Sequence, residues 1–201
     1  MRIDTLEQLR ERYPAPKERA VKKQLDFLDR HCKNYIALSP FVVLSSLGLD
    51  GQLDASPRGG APGFVKVLDS THLLIPDSPG NNRLDTLENI IHAGRIGLLF
   101  VIPGMDETLR VNGRAHLSID PTDIACCTTE VRAPKLVIHV AVQQAYLHCA
   151  KAFMRSKLWD ISSQIDRACL PTIVDMINEQ AAIEGIFETH EEIMLRYKNE
   201  L

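Results

Sequence analysis

The sequence predicts a mainly antiparallel β-barrel with helices at both ends of the chain. Segments with strand-like alternation fill the middle of the chain, some of them joined by hairpin turn signals, and helical spacing prevails on either side. A single helix, expected at about 83–93, interrupts the strands, and this order favours a barrel over alternating βαβ units. We therefore expect one domain over 1–201, with N-terminal helices in 1–32, the barrel in 36–145 and a C-terminal helical segment in 146–201.

Individual signals support six or seven strands. Asp50-Gly51 is a hairpin turn signal between two short strands. Ile96–Ile102 is an almost continuous apolar strand, and Leu136–Val142 alternates between apolar and other residues before the chain turns helical at about 145. Gly113 falls in the middle of a strand, which predicts a bulge or the close approach of another backbone or a ligand.

Composition excludes several classes of protein. A net charge of −3 leaves no basic excess for general nucleic-acid binding. No apolar run reaches the roughly 20 residues that span a bilayer, and the charged N-terminus does not resemble a signal peptide. We expect a cytoplasmic protein that binds neither nucleic acid nor membrane.

The usual catalytic motifs are also missing from the sequence. The five cysteines are scattered and contain no CxxC pair, so we expect free thiols rather than a disulfide framework or a metal site. No sequence pattern identifies a protein nucleophile. If the chain is an enzyme, a bound cofactor would carry the chemistry.

The stretch Pro76–Asp85 is the most informative for chemistry, because it turns a strand into a helix. Pro79-Gly80 breaks the strand, and Asn81 or Asn82 is placed to cap the helix that follows. The free N–H groups at the helix start and the charge of Arg83 would suit a phosphate. An ordinary capped surface helix is the alternative interpretation.

A second segment, Asp54–Gly63, ends a strand in Arg58 and continues with several glycines and prolines. Glycines let a flat ligand approach the backbone, and arginine can bind a phosphate through two hydrogen bonds. A loop with a solvated arginine is equally compatible with this pattern.

Two further groups of cations stay ambiguous at this point. Arg110 and Arg114 share one face of a strand, which turns either to a ligand or to solvent. His148, Lys151 and Arg155 have helical spacing, which predicts a basic stripe that would usually be a solvated face.

Several motifs occur together in a fixed order. They are Ser56-Pro-Arg-Gly59, Pro62-Gly-Phe-Val-Lys-Val-Leu-Asp69, Leu74-Ile-Pro-Asp-Ser-Pro-Gly-Asn-Asn-Arg-Leu-Asp85, Gly97-Leu-Leu-Phe-Val-Ile-Pro-Gly104 and Glu107-Thr-Leu-Arg-Val-Asn-Gly-Arg-Ala115. Over about 36–160 the chain resembles the pyridoxamine 5'-phosphate oxidase-like flavoproteins, in particular a bacterial FMN-binding subgroup.

This resemblance implies an antiparallel, Greek-key-like split β-barrel and a homodimer that holds two FMN molecules at the subunit interface. It implies three sets of cofactor-binding residues. They are Ser56, Pro57 and Arg58 along the isoalloxazine and ribityl chain, Ile75, Pro76 and Asp77 at the flavin ring, and Asn82 and Arg83, with Arg58, at the phosphate.

Other positions follow from the same resemblance. Thr86 falls near a phosphate-binding lysine of many relatives, so Arg83 or Arg58 would supply that charge here. Thr108 falls where the oxidase proper has a glutamine near the flavin, and the segment from His148 to Trp159 resembles a tail that covers the partner's cofactor. The substrate-binding residues of the oxidase proper have no clear equivalent, so we do not expect vitamin B6 oxidation.

The leading hypothesis is an FMN-dependent oxidoreductase that acts on a small molecule, with no metal and no protein residue assigned as the catalyst. A flavin-binding or flavin-buffering protein without turnover, and a cofactor-free dimeric interaction module, are the alternatives. A deazaflavin or haem in place of FMN is also left open by the sequence.

Overall fold

The computed structural model describes residues 2–129, 132–185 and 188–200. The chain divides into two compact units. The first comprises Met1–Ser78 and Leu84–Lys151, and the second comprises Pro79–Arg83 and Ala152–Leu201.

The first unit is built on one sheet of seven strands, counted over the part of the chain that the structure describes, in the order β2-β1-β5-β6-β7-β4-β3. Every pairing is antiparallel, which confirms the expected sheet type. Strands β2 and β3 remain at the two edges, so strand pairing does not close the barrel. The strands are β1 Phe41–Leu47, β2 Leu53–Gly59, β3 Lys66–Val67, β4 His72–Pro76, β5 Arg95–Val101, β6 Thr108–Ser118 and β7 Val137–His148.

Helices flank this sheet, as expected. Their bounds in the first unit are α1 Leu6–Arg10, α2 Glu18–Lys22, α3 Arg30–Leu38, α4 Asp85–Ala93 and α5 Pro121–Cys127. Helix α4 follows β4 and packs against β1, β2, β5 and β6, while α5 packs against β4 and β7.

The two faces of the sheet differ, because alternate residues of a strand point to opposite sides. On β5, Ile96, Leu98 and Phe100 are buried in the main core, whereas the residues between them are half-exposed. Leu87 and Ile90 of α4 belong to the same core. We call the face towards this core the inner face and the opposite one the outer face.

A β-bulge interrupts the pairing of β6 with β7 at Gly113, where the sequence predicted a bulge or a close backbone approach. The register shifts between Asn112 and Gly113, so Asn112 pairs with Gln144 but Gly113 pairs with Val142. A Cβ atom on Gly113 would lie 2.2 Å from the carbonyl oxygen of Ala141. The close approach of the Ala141 backbone therefore accounts for the glycine at this position.

Strand β7 is longer than the sequence predicted. It continues to His148, whereas we expected helix from about 145, and the next helix, α6, is Lys151–Ser156. His148 therefore lies on a strand, and the predicted helical stripe of His148, Lys151 and Arg155 is wrong.

The N-terminal helical region is interrupted between α2 and α3. Leu25 exchanges backbone hydrogen bonds with Ala145, at 3.0 and 2.8 Å, and so continues the sheet beside β7. This pairing lies beyond the part of β7 that pairs with β4, which ends at Ala141.

The second unit is helical where the structure describes it. It contains most of α6, then α7 Ile173–Ala181 and α8 His190–Glu200, with short 3₁₀ turns at Ile161–Ser163 and Arg167–Cys169. The aromatic rings of Phe153 and Trp159 stack with centroids 5.7 Å apart. None of the described helices in either unit is both long enough and apolar enough to cross a bilayer.

The bulge yields a stability prediction. We expect Gly113→Ala to reduce the free energy of unfolding by about 1–3 kcal/mol, because the new methyl group overlaps the Ala141 carbonyl oxygen and the strands must separate. Urea unfolding of the full chain measures this. Gly80→Ala is the matched control, since no atom lies within 4 Å of a Cβ at Gly80. Equal stability of the two variants would contradict the assignment.

Candidate functional site

Strand β2 presents polar side chains to the inner face of the sheet. Asp54, Ser56 and Arg58 are half-buried, whereas Ala55 and Pro57 between them are exposed on the outer face. Of the three residues that we expected along the cofactor, Ser56 and Arg58 therefore share one face, and the Pro57 side chain is on the other.

A hydrogen-bond network centres on the Asp54 carboxylate. Ser56 Oγ donates to Asp54 Oδ1 at 2.9 Å, Ser46 Oγ lies 3.3 Å from Oδ2, and the Thr86 hydroxyl donates to the same Oδ2. Asn89 Nδ2 donates to Ser46 Oγ at 2.9 Å and completes the network. The Asp54 carboxylate therefore connects β1, β2 and α4, because each of these elements contributes one hydroxyl group that bonds to it.

This network is where the structure brings predicted site residues together. Ser56 and Thr86 are 30 positions apart in the sequence, yet both donate to one carboxylate. Each hydroxyl has a single hydrogen, which is committed to Asp54. Thr86, only 2% exposed, is thus a fixed structural group and not a free phosphate donor.

Asp54 itself was not among the predicted site residues. Asp54 alternates with Ser56 and Arg58 and so lies on the same face of β2. This alternation is the sequence feature from which Asp54 could have been predicted as a site residue. Its role depends on contact with Thr86, 32 positions away, which a local pattern does not reveal.

The turn before α4 differs in detail from the sequence expectation. Neither Asn81 nor Asn82 is the N-cap; Leu84 is, and its side chain makes no capping hydrogen bond. Asn81 Oδ1 instead accepts from the backbone N–H of Arg83 at 3.1 Å. Asn82 and Leu84 have φ angles of 59° and 61°, in the left-handed region, which a bulky leucine seldom adopts.

Arg58 carries a charge that the first unit does not neutralise. Its Nη1 donates to the Pro57 carbonyl oxygen at 2.9 Å, and no carboxylate pairs with it among residues 2–129, 132–185 and 188–200. The nearby glycines have neighbours within the chain. A Cβ on Gly60 would lie 2.8 Å from Phe64, and one on Gly63 would lie 3.1 Å from the Ala37 carbonyl oxygen.

The remaining predicted residues of the first unit lie at different ends of the sheet. Pro76 pairs with Val137, which pairs with Ser118 at the end of β6, whereas Thr108 begins β6. Ten residues of strand separate the two ends, roughly 33 Å at about 3.3 Å per residue. The Ile75 side chain is fully buried, so only its backbone and the half-buried Pro76 and Asp77 remain for a ligand.

The other three predicted residues, Asn82, Arg83 and Trp159, belong to the second unit. Asn82 and Arg83 are exposed, and Trp159 is half-buried against Phe153.

A histidine cluster occupies another part of the outer face, beside α5. The His139 ring lies 4.8 Å from that of His116 and 5.5 Å from that of His72, centroid to centroid. His139 Nδ1 is 3.8 Å from Asp123 Oδ2, and its buried Nε2 has no hydrogen-bond partner in the described chain. Burial lowers the pKa of His139, and the neighbouring His116 lowers it further.

The histidine cluster does not form a metal centre. Within the described ranges, no group of three or more His, Cys, Asp or Glu side chains is arranged to hold a metal ion.

The Asp54 network yields a second prediction. Thr86→Val should reduce the free energy of unfolding by about 1–3 kcal/mol, because it leaves a hydrogen-bonded carboxylate short of one donor. Thr122→Val is the matched control, since Thr122 is also the second residue of a helix but is exposed. Chemical denaturation compares the two, and a control that loses as much stability would refute a special role for Thr86.

The histidine cluster yields a pH prediction. Because the pKa of His139 lies below its usual 6.5 in the folded state, protons bind the unfolded state more readily, and stability falls as the pH falls below about 6.5. We expect the loss between pH 7.5 and pH 5.5 to shrink in His139→Gln and to persist in His92→Gln, an exposed histidine on α4. Urea titrations at both pH values test this. If His139→Gln loses as much stability between the two pH values as the original protein, groups other than His139 cause the pH dependence.

The chain is similar to several solved structures. A histidine-to-alanine variant of HupZ from Group A Streptococcus is 17% identical with a TM-score of 0.50, and the match covers 60% of this chain and 99% of that one. A putative pyridoxamine 5'-phosphate oxidase from Lactobacillus delbrueckii is 21% identical with a TM-score of 0.48, over 62% and 98%. An FMN-binding protein from Syntrophomonas wolfei is 12% identical with a TM-score of 0.39, over 58% and 80%.

No curated protein matches the sequence. Residues 28–149, more than half of the chain and nearly all of the sheet, match the family described as pyridoxamine 5'-phosphate oxidase. By this match, the chain belongs to the pyridoxamine 5'-phosphate oxidase family.

Proposed function

We propose that this protein is an FMN-dependent oxidoreductase that acts on a small molecule as a homodimer. The observation that carries the proposal is the turn before α4, whose geometry suits a phosphate. The family match supports the same cofactor, because the flavoproteins that the sequence resembles bind FMN.

The turn is strained in a way that marks functional sites. A leucine with φ of 61° is costly unless its surroundings require it, and such strain clusters where ligands bind. The nine-residue helix that follows has no side-chain cap from Leu84, and its N-terminal N–H groups form the positive end of the helix dipole. We infer that Asn82 and Arg83 in this turn bind the FMN phosphate.

The donor set on β2 also fits an anionic cofactor. A half-buried guanidinium is costly to leave without a counter-ion, and Arg58 pairs with no carboxylate in the described chain. A phosphate would supply the missing negative charge. Ser56, whose hydrogen is held by Asp54, would accept hydrogen bonds from the ribityl hydroxyls.

The separation of predicted residues supports a dimer. Thr108 and Pro76 lie at opposite ends of the sheet, too far apart for one flavin to touch both in a single subunit. Two copies of the chain, each contributing one end of its sheet, would complete a site at their interface.

The bound FMN would supply the hydride or electron transfer, and no residue of this chain is assigned as a nucleophile. Arg58 and Arg83 are the two cations that we assign to the phosphate. We do not assign vitamin B6 as the substrate. All five cysteines are unpaired, which suits a reducing compartment, and a cytoplasmic location stays a prediction.

The test is an absorption spectrum of the purified protein before and after FMN is added and the excess removed, followed by an FMN titration. We expect about one flavin per chain. Arg58→Ala and Arg83→Ala should each weaken FMN binding by about 1.5–3 kcal/mol, the scale of a hydrogen bond to a charged group.

Arg19→Ala, an exposed arginine on α2, is the control that should bind FMN normally. Protein that stays colourless after FMN addition would exclude the flavin assignment. Bound FMN that no nicotinamide donor or other candidate reduces faster than free FMN would favour a flavin-binding protein without turnover.

A further inference from the structure

The outer face of β6 and β7 carries a cluster of cations around one tyrosine. Lys23 Nζ lies 5.0 Å from the centroid of the Tyr146 ring, and the guanidinium carbon of Arg110 lies 5.6 Å from it. The imidazole of His148 is 5.1 Å from the same ring. We call these four residues the Tyr146 cluster.

Hydrogen bonds hold the cations of the Tyr146 cluster in place. Arg110 Nη1 donates to Tyr146 Oη at 2.9 Å, and Lys23 Nζ donates to the Leu147 carbonyl oxygen at 2.7 Å. Lys23 belongs to the segment that Leu25 anchors to β7. The positions of both charges are therefore set by backbone pairing as well as by their own contacts.

The Tyr146 cluster has no negative charge of its own. Neither Lys23 nor Arg110 pairs with a carboxylate in the described ranges. An ammonium has three donors and a guanidinium five, and only one of each is used here. Two adjacent cations without a counter-ion attract an anion, most strongly where part of the surroundings is buried.

His148 adds a second, independent sign of a missing partner. Its Nε2 is buried and makes no hydrogen bond within the described chain, which is unusual for a buried polar atom. Burial lowers the pKa of His148, and the charges of Arg110 and Lys23 lower it further. An anion beside them would reverse that electrostatic effect.

The Tyr146 cluster borders the position that the resemblance assigns to the flavin. Thr108 pairs directly with His148, and Arg110 is two residues further along β6 and pairs with Tyr146. Paired residues of an antiparallel sheet point to the same face, so all four side chains share the outer face.

We propose that the Tyr146 cluster binds an oxyanionic group, a carboxylate or a phosphate monoester, of the small molecule that the flavin oxidises or reduces. The assignment of this anion to the substrate rests on the proposed function, whereas the anion site itself rests on the Tyr146 cluster alone. Lys23 and Arg110 supply the charge, and Tyr146 orients Arg110.

The test is calorimetric titration of the full chain with inorganic phosphate and, separately, with acetate, in the presence and absence of FMN. We expect saturable binding of at least one anion to the FMN-loaded protein, and the tighter one identifies the group. Arg110→Gln and Lys23→Gln should each weaken it about tenfold or more, as loss of a charged hydrogen bond does. Both side chains are exposed, so folding should survive.

Arg114→Gln is the matched control, because Arg114 is also exposed on the outer face of β6 but does not contact Tyr146. An equal loss in all three variants would reduce the effect to general surface charge and overturn the proposal. Absence of anion binding, with FMN bound normally, would overturn it while the proposed function stands. If the anion competes with FMN, the Tyr146 cluster is part of the cofactor site, and its assignment to the substrate is overturned. If the anion binds but the protein takes up no FMN, the anion site stands and the flavin reaction is excluded.

Discussion

The close approach of Gly113 to the Ala141 carbonyl is the constraint on which the two halves of the sheet depend. A slip of one residue would turn every following side chain to the opposite face. The bulge absorbs one residue of β7, so Arg114 faces Ala141 on one side of it and Arg110 faces Tyr146 on the other. Core residues of β7 therefore stay on the inner face on both sides of the bulge, with Val142 before it and Ala145 after it. Only glycine permits this, because a methyl group would overlap the carbonyl oxygen.

The inner face of β2 carries one acidic and one basic side chain, Asp54 and Arg58, which differ in how their charges are satisfied. On the inner face, the half-buried Asp54 accepts hydrogen bonds from hydroxyl groups. Its position on β2 ties the start of α4 to an edge strand of the described sheet. A carboxylate that accepts several hydrogen bonds is stable without a cation nearby. Arg58, four residues along the same strand, pairs with no carboxylate in the described chain. The carboxylate of Asp54 is thus satisfied by hydroxyl groups, and the guanidinium of Arg58 has no carboxylate partner in the described chain.

The elements that the sequence predicted well are those whose signal is local. The β1–β2 hairpin follows from Asp50-Gly51, and the bulge follows from one glycine in mid-strand. Strand β7 was predicted too short because Gln143 and Gln144 interrupt its alternation at the bulge, where one residue is unpaired. The cap of α4 was assigned to an asparagine on propensity, but the turn places Leu84 there. Thr86 was recognised only by resemblance, and its bond to Asp54 depends on the fold.

The net charge of the chain does not show where its cationic side chains are concentrated. The chain has more acidic than basic residues, yet Lys23 and Arg110 converge on one tyrosine without a carboxylate beside them. From spacing alone, Arg110 was as compatible with solvent as with a ligand. Its environment depends on the continuation of β7 past the bulge, which brings Tyr146 and His148 beside it. Because the same bulge sets this register, the packing constraint at Gly113 also determines which charges meet on the outer face.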